Sequence, residues 1–444
     1  ETVFRYLTAE YGTCATKKSP SSFKVAYYFS LGILNYAISS IMFVYVIPTG
    51  LLRLPLAIFL GPKVRDRIPD WVITMPDLFE YLYDRKSKLA VAISMIPPVL
   101  YESALLTAGG QVIHYVTGVN IWVAMAVLGI IIVLYTSLSG MWGLAVTDLI
   151  QFAVMTVAAG FLAVGIVTAY GGLDEIWKSI AAVDPELLTP MGHNSPLEAF
   201  SWIIAAGALY ANSQSYQRFG ASKSGADVKV SYTLMLLFGM CFSAVMVLSG
   251  MVASVHFADA AAPSEGFWGL VFTVLPIGMR GLFVAALLAA VMSTVSADFL
   301  IDSTVIIHDI FKSFIKKNMT EQNVLIGTRI VIWCFGIGIV GATYFWQEGI
   351  DKAYYYIGGF QVAAFFIPLI FGLTYKKRTP LAGFLSVVLT VLFYFVWQFL
   401  LGAPFGIPTN VAAWIFSAIV YLIVSQLTYK PNSMEASEGN ASGA

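Results

Sequence analysis

Eleven stretches of this chain are apolar for long enough to cross a bilayer, and that repetition leaves few folds open. A hydrocarbon core of about 30 Å takes about 20 apolar residues of helix. The stretches fall at about 25–53, 88–116, 121–139, 142–170, 197–213, 225–257, 279–315, 321–348, 352–374, 381–402 and 410–427. Several exceed one crossing and must tilt or project into water. Only 11% of the 444 residues are charged, against about 25% in a soluble protein. The reading is an all-α polytopic membrane protein with the lipid bilayer as its main partner.

Other classes are disfavoured. The net charge is zero and no basic patch invites nucleic acid. Cys14, Cys241 and Cys334 are too far apart for a disulfide framework or zinc site. The four histidines are scattered, and no hydrolase, redox or metal constellation marks an enzyme.

Short joints separate the spans: TGVN at 117–120, SGMW at 139–142 and TPMGHNSP at 189–196. GGLDEIWKSIAAV at 171–183 reads as a short amphipathic piece, and EGFWGLVFTVLPIG at 265–278 as a membrane-surface hairpin. Alternate connections carry 18 of the 25 basic residues, among them Arg65, Arg85, Lys223, Lys316 and Lys377. Lys and Arg favour the cytoplasmic side, so these loops and the C-terminus are assigned there. The chain opens at Glu1 on ETVFRYLTAEYG, with no Met and no signal-like segment. It reads as lacking its true N-terminus, and the tail 429–444 reads as disordered.

Polar residues within the spans are the functional clue. A charge at the bilayer centre costs at least about 2.5–3.5 kcal/mol, so such residues must face protein or water. AALLAAVMSTVSADFLIDS (285–303) gathers Ser293, Thr294, Ser296, Asp298, Asp302 and Ser303 within eleven residues. At 100° per residue Ala290, Ser293 and Thr294 share a face. The polar arc covers more than half the circumference, which predicts a central helix. Ser and Thr in membrane helices often bond back to the i−4 carbonyl with no ligand involved. Six polar residues together favour a cation, since hard ions such as Na⁺ take oxygen ligands.

Three further features stand out. Asp148 in YTSLSGMWGLAVTDLIQ (135–151) is too deep for a dipole-favoured N-terminal acid, whose advantage fades after the first turn. With Thr147 and Gln151 near, it is a candidate for a second cation. ALYANSQSYQRFGASKSGAD (208–227) passes abruptly from apolar residues to Asn212, Ser213, Gln214, Ser215 and Gln217. That is either a solute-binding broken helix or an ordinary helix end at the interface. Glu102 and His114 read as structural hydrogen-bonding groups, in a span kinked by Pro97 and Pro98. Tyr355, in AYYYIGGFQ (353–361), either lines a solute path or belongs to an aromatic belt.

Five stretches resemble the sodium:solute symporter family: ITMPDLFEYLYDR, YTSLSGMWGLAVTDLIQ, YQRFGASKSGAD, AAVMSTVSADFLIDSTVIIHDIFKSF and IPLIFGLTYKKRTPLAG. They span roughly 70–385, in family order. The resemblance implies a LeuT-type core of two inverted five-helix repeats, one to about 170 and one over about 197–375. Accessory helices follow over about 381–428, and 1–24 is a remnant of the first core helix with an extracellular segment. It implies a main sodium site with Ala290 (carbonyl), Ser293 and Thr294 as ligands. It also implies a possible second cation site at Asp148 and Ser296. Ala297 stands where members with that site have Ser, and Asp298 beside it is a carboxylate that could compensate. Asn212, Gln214 and Tyr355 become solute candidates. Met240 and Gln214 replace the Lys and inner-gate Tyr of sugar transporters, which disfavours a sugar.

The implied function is a symporter that uses sodium as coupling ion to import a small polar solute, an amino acid or small carboxylate. Proton coupling on the same fold and a transporter-like solute sensor are the alternatives. The family's first core helix contributes two carbonyls to the main site. The sodium-binding half of that helix is expected upstream of Glu1, which would leave the site incomplete here.

Overall fold

The computed structural model describes residues 54–430, apart from 70, 98, 190–191, 208–210, 261–262 and 346–349. The expected first span at 25–53, the remnant at 1–24 and the tail beyond 430 lie outside the described residues. Among the described residues the regular structure is entirely helical. In chain order the helices are α1 (Gly61–Arg67), α2 (Met75–Leu82), α3 (Arg85–Ser94) and α4 (Val99–Thr117). Next come α5 (Ile121–Leu138), α6 (Gly140–Ala169), α7 (Leu173–Val183), α8 (Pro196–Ala206) and α9 (Ser213–Ala221). Then follow α10 (Gly225–His256), α11 (Pro263–Val274) and α12 (Ile277–Thr304), which continues as π-helical turns over Val305–Ile315. The last are α13 (Glu321–Phe345), α14 (Ile350–Gln361), α15 (Ile367–Thr374), α16 (Pro380–Phe395) and α17 (Thr409–Thr428).

Among the described residues eight segments are long and apolar enough to cross a membrane, and their bounds match the expected stretches within a few residues. Two expected spans are instead interrupted. The stretch at 88–116 divides into α3 and α4 around the Pro97–Pro98 step, where proline removes donors and bars the helical conformation before it. The stretch at 197–213 divides into α8 and α9. Gly140 makes the SGMW joint: its φ of 59° and ψ of −165° turn the chain between α5 and α6. That left-handed φ is one glycine adopts without a Cβ penalty.

The segment 265–278 departs from expectation. Most of it is α11, and Phe267, Trp268, Leu270 and Val271 are at most 1% exposed. Their shared core with α10 and α12 is why this piece is a buried helix rather than a surface hairpin.

α12 is central, as the polar arc required. It packs against α4, α5, α6, α9, α11 and α13. The basic connections meet at one end. Arg65 Nε donates to Ser222 O at 2.6 Å, Arg85 donates to Ser313 O, and Ser425 donates to Lys377 O. Tyr83 locks the same end: its hydroxyl bonds Tyr421 Oη at 2.8 Å and the Pro368 carbonyl. Its ring lies where a Cβ on Gly383 would come within 2.5 Å, so glycine there admits the tyrosine.

Candidate functional site

The Ala290 turn is compact. Ser293 Oγ and Thr294 Oγ1 donate to the Ala290 carbonyl at 3.0 and 3.1 Å, so the three expected oxygens converge. Ser296 Oγ and Ser303 Oγ likewise donate one turn back, to Ser293 O and Leu300 O. Back-bonding of this kind occupies each hydroxyl's proton and leaves oxygen lone pairs open to a cation. Ala290 and Ser296 are buried, Ser293 and Thr294 half-buried.

A second group of oxygens forms where α5 and α6 cross α12. Tyr135 Oη donates to Met292 O at 2.9 Å and pins α5 beside Ser293. Around that hydroxyl stand the side chains of Ser296, Gln151 and Thr136, with the Asp148 charge close by. Thr136 Oγ1, Asp148 Oδ1 and Gln151 Oε1 are buried without a hydrogen-bond partner. Unsatisfied buried oxygens are uncommon and costly, and here they face one region. The nearest fixed cation is Arg218 of α9, whose Nη2 lies 3.8 Å from Asp148 Oδ2. Thr147 takes no part, because its hydroxyl donates to Gly143 and Leu144 carbonyls. Tyr135 and Thr136 escaped the sequence reading, although both lie in the quoted YTSLSGMWGLAVTDLIQ.

Asp298 is engaged differently from the expected cation ligand. It accepts a hydrogen bond from Gln214 Nε2 of α9, and the Arg218 charge acts on it. The structure therefore brings Asp148 and Ser296 together through Tyr135 and ties Asp298 to the neighbouring helix.

α8 and α9 are separate helices on the two sides of this polar stretch. α8 stops at Ala206, and Asn212 is extended at φ −93° and ψ 125°. Its Oδ1 accepts from Gln214 N at 2.6 Å and caps α9. Ser213 Oγ and Gln217 Nε2 of α9 are buried without partners. Asn212 thus already has a structural task, with its amide nitrogen still to spend. Tyr355 lies in α14, and its side chain is outside the described residues. His114 keeps its structural role, with Nδ1 2.6 Å from Val119 O.

One charged cluster was invisible in the sequence. Lys88 Nζ of α3 lies 2.5 Å from Asp77, 2.9 Å from Glu80 and 3.5 Å from Asp309. His308 Nδ1 is 2.9 Å from Asp309 Oδ1. Asp77, His308 and Asp309 are close enough to hold a metal ion, but the Lys88 ammonium already sits among the carboxylates. The cluster clamps α2 and α3 to the π-helical continuation of α12.

Known proteins match this chain in sequence and in fold. A model of the sodium:solute symporter family matches residues 24–390. The osmoregulated proline transporter OpuE of Bacillus subtilis is 24% identical over 84% of this chain and 78% of its own length. A sodium/pantothenate symporter of Haemophilus influenzae is 24% identical over 80% of this chain and 75% of its own. The Escherichia coli sodium/proline symporter is 24% identical over 81% and 74%. Among solved structures, a sodium-coupled sialic acid symporter in a substrate-bound outward-open state superposes with a TM-score of 0.68. That match covers 91% of this chain and 92% of the other at 19% identity, and it supports a shared LeuT-type fold.

Proposed function

The chain belongs to the sodium:solute symporter family, and from that premise we propose that it imports an amino acid or small carboxylate, driven by sodium. Sodium-coupled solute symport is what the family and its proline and pantothenate symporters support. The solute class is our own reading, and it rests on those relatives and on Met240 and Gln214, which disfavour a sugar. The orientation, with basic loops and C-terminus in the cytoplasm, follows from the distribution of Lys and Arg.

The observation that carries the reading is the convergence of Ala290 O, Ser293 Oγ and Thr294 Oγ1 on an enclosed helix. These oxygens suit sodium, the transported coupling ion, which would enter from outside and bind against this turn. A second sodium would take the oxygens of Asp148, Ser296, Thr136 and Gln151. Asn212, Gln214 and Tyr355 would line the solute path beside the junction of α8 and α9, where freed backbone groups bind polar solutes. Sodium can drive the cycle only by binding the outward and inward states unequally.

The test is uptake of proline, other amino acids and small carboxylates into proteoliposomes, with a sodium gradient or with choline. We expect sodium-dependent uptake of at least one of them. Uptake that follows a pH gradient in sodium-free buffer would move the reading to proton coupling.

A further inference from the structure

Glu102 of α4 and Asp302 of α12 meet inside the protein. Glu102 is 1% exposed and Asp302 9%. Their carboxyl groups lie within hydrogen-bonding reach of each other, and the Asp298 charge also bears on both. Glu102 Oε2 is buried with no hydrogen-bond partner. The sequence reading gave Glu102 a structural hydrogen bond, which requires a donor. What faces it is another acceptor, since an ionised carboxylate donates nothing. Two bare carboxylates in contact and out of water are not a stable arrangement. The contact persists only with positive charge bound to it.

Among the described residues, the surrounding elements do not supply that charge. On α12, Asp298 is a further acid. From α9, Gln214 bonds Asp298, and the Arg218 guanidinium acts on Asp298 and Asp148 but is not among the charges acting on Glu102 or Asp302. From α5 and α6, Tyr135 and Asp148 belong to the Ser296 group. From α13, Phe335 packs on Phe299. Among the described residues no fixed cation compensates the pair.

We propose that Glu102 and Asp302 form a further site for one exchangeable monovalent cation, sodium or a proton, separate from the Ala290 turn. Such a cation would tie α4 to α12 when bound and loosen them when released. The inference rests on the transport reading above, because an exchangeable ion at this depth has use in a coupled cycle.

The experiment uses the purified full-length protein in nanodiscs. Equilibrium binding of ²²Na⁺ at pH 8 is compared for wild type, Glu102→Gln/Asp302→Asn and Ser293→Ala. Thermal stability is then followed from pH 5.5 to 8.5 in choline chloride. If sodium is the occupant, the double variant binds one sodium fewer than wild type. If a proton is the occupant, sodium stoichiometry is unchanged and the pH dependence of stability is reduced in the double variant. A double variant with wild-type stoichiometry and wild-type pH dependence overturns the proposal. Ser293→Ala reports separately on the main site: wild-type sodium binding there would count against the transport reading, whatever the pair does. Should the double variant fail to fold, Glu102→Gln and Asp302→Asn alone each leave an amide donor for the remaining carboxylate, and the same two readouts apply.

Discussion

Two polar clusters hang from α12 and its continuation, and they handle charge in opposite ways. At the π-helical end, Asp309 and Asp77 enclose Lys88, with Glu80 and His308 at the edge. That cluster carries its own cation on a covalent stem. Around Ser293 and Tyr135, oxygens from three helices face each other and several lack a partner. The contrast separates a clamp from a candidate ion site. In the clamp a lysine already meets the buried carboxylates, although Asp309 Oδ2 keeps no hydrogen-bond partner; on the proposed reading, the oxygen group without a lysine is completed by something that can leave.

The comparison breaks most readily at Lys88. Lys88→Ala leaves Asp77 and Asp309 buried with only His308 beside them, a loss of about 3–5 kcal/mol for a broken buried pair. We expect a large drop in unfolding temperature that added sodium does not restore. Recovery of stability with sodium would mean that the clamp is itself an ion site. Ser293→Ala and Thr294→Ala should behave inversely, with near-normal stability. Loss of one ligand worth about 1.4 kcal/mol raises the half-maximal sodium concentration roughly tenfold. Unaltered sodium dependence in both variants would remove the Ala290 turn from the mechanism.

Asp148 sharpens the same comparison with a smaller effect. Asp148→Asn keeps the shape of the oxygen group and removes its charge. We expect a lower Hill coefficient for sodium-driven uptake and less than a tenfold change in half-maximal sodium. A Hill coefficient equal to wild type would restrict sodium to the Ala290 turn.

These contrasts also mark what could be read from residues in a row. Helical spacing placed Ala290, Ser293 and Thr294 on one face, because a turn of helix is a local object. Span bounds were legible for the same reason, and SGMW marked the Gly140 break. Partners across the fold were not legible. Lys88 meets Asp309, and Glu102 meets Asp302, after some two hundred intervening residues. Hydrophobic periodicity gives a residue's face but not what stands opposite it. Asp298 shows the cost: next to the expected second site in sequence, it is turned instead toward Gln214. The 265–278 segment failed through context, since its aromatic residues suit a membrane surface as well as a packed core.

The smallest expected effect lies in the loop between α7 and α8, where charge is exposed. His193 Nε2 lies 2.9 Å from Asp184 and Nδ1 2.5 Å from Glu186. Both ring nitrogens face acceptors, which only the imidazolium can satisfy with two donors. The Asp184 hydrogen bond, aided by both carboxylate charges, raises the His193 pKa above its ordinary 6.5. A raised folded-state value stabilises the fold fully below about 6.5, and the contribution fades as pH climbs through the raised value. The side chain is 48% exposed, so the contribution stays below about 1 kcal/mol, as for other surface pairs. His193→Ala should therefore lower the unfolding temperature slightly at pH 6 and leave it unchanged at pH 9. An equal loss at both values would mean that His193 acts by packing rather than by charge. Acting by charge, it belongs with Lys88 as a cation that the protein itself sets among its carboxylates, and sodium should not alter the result.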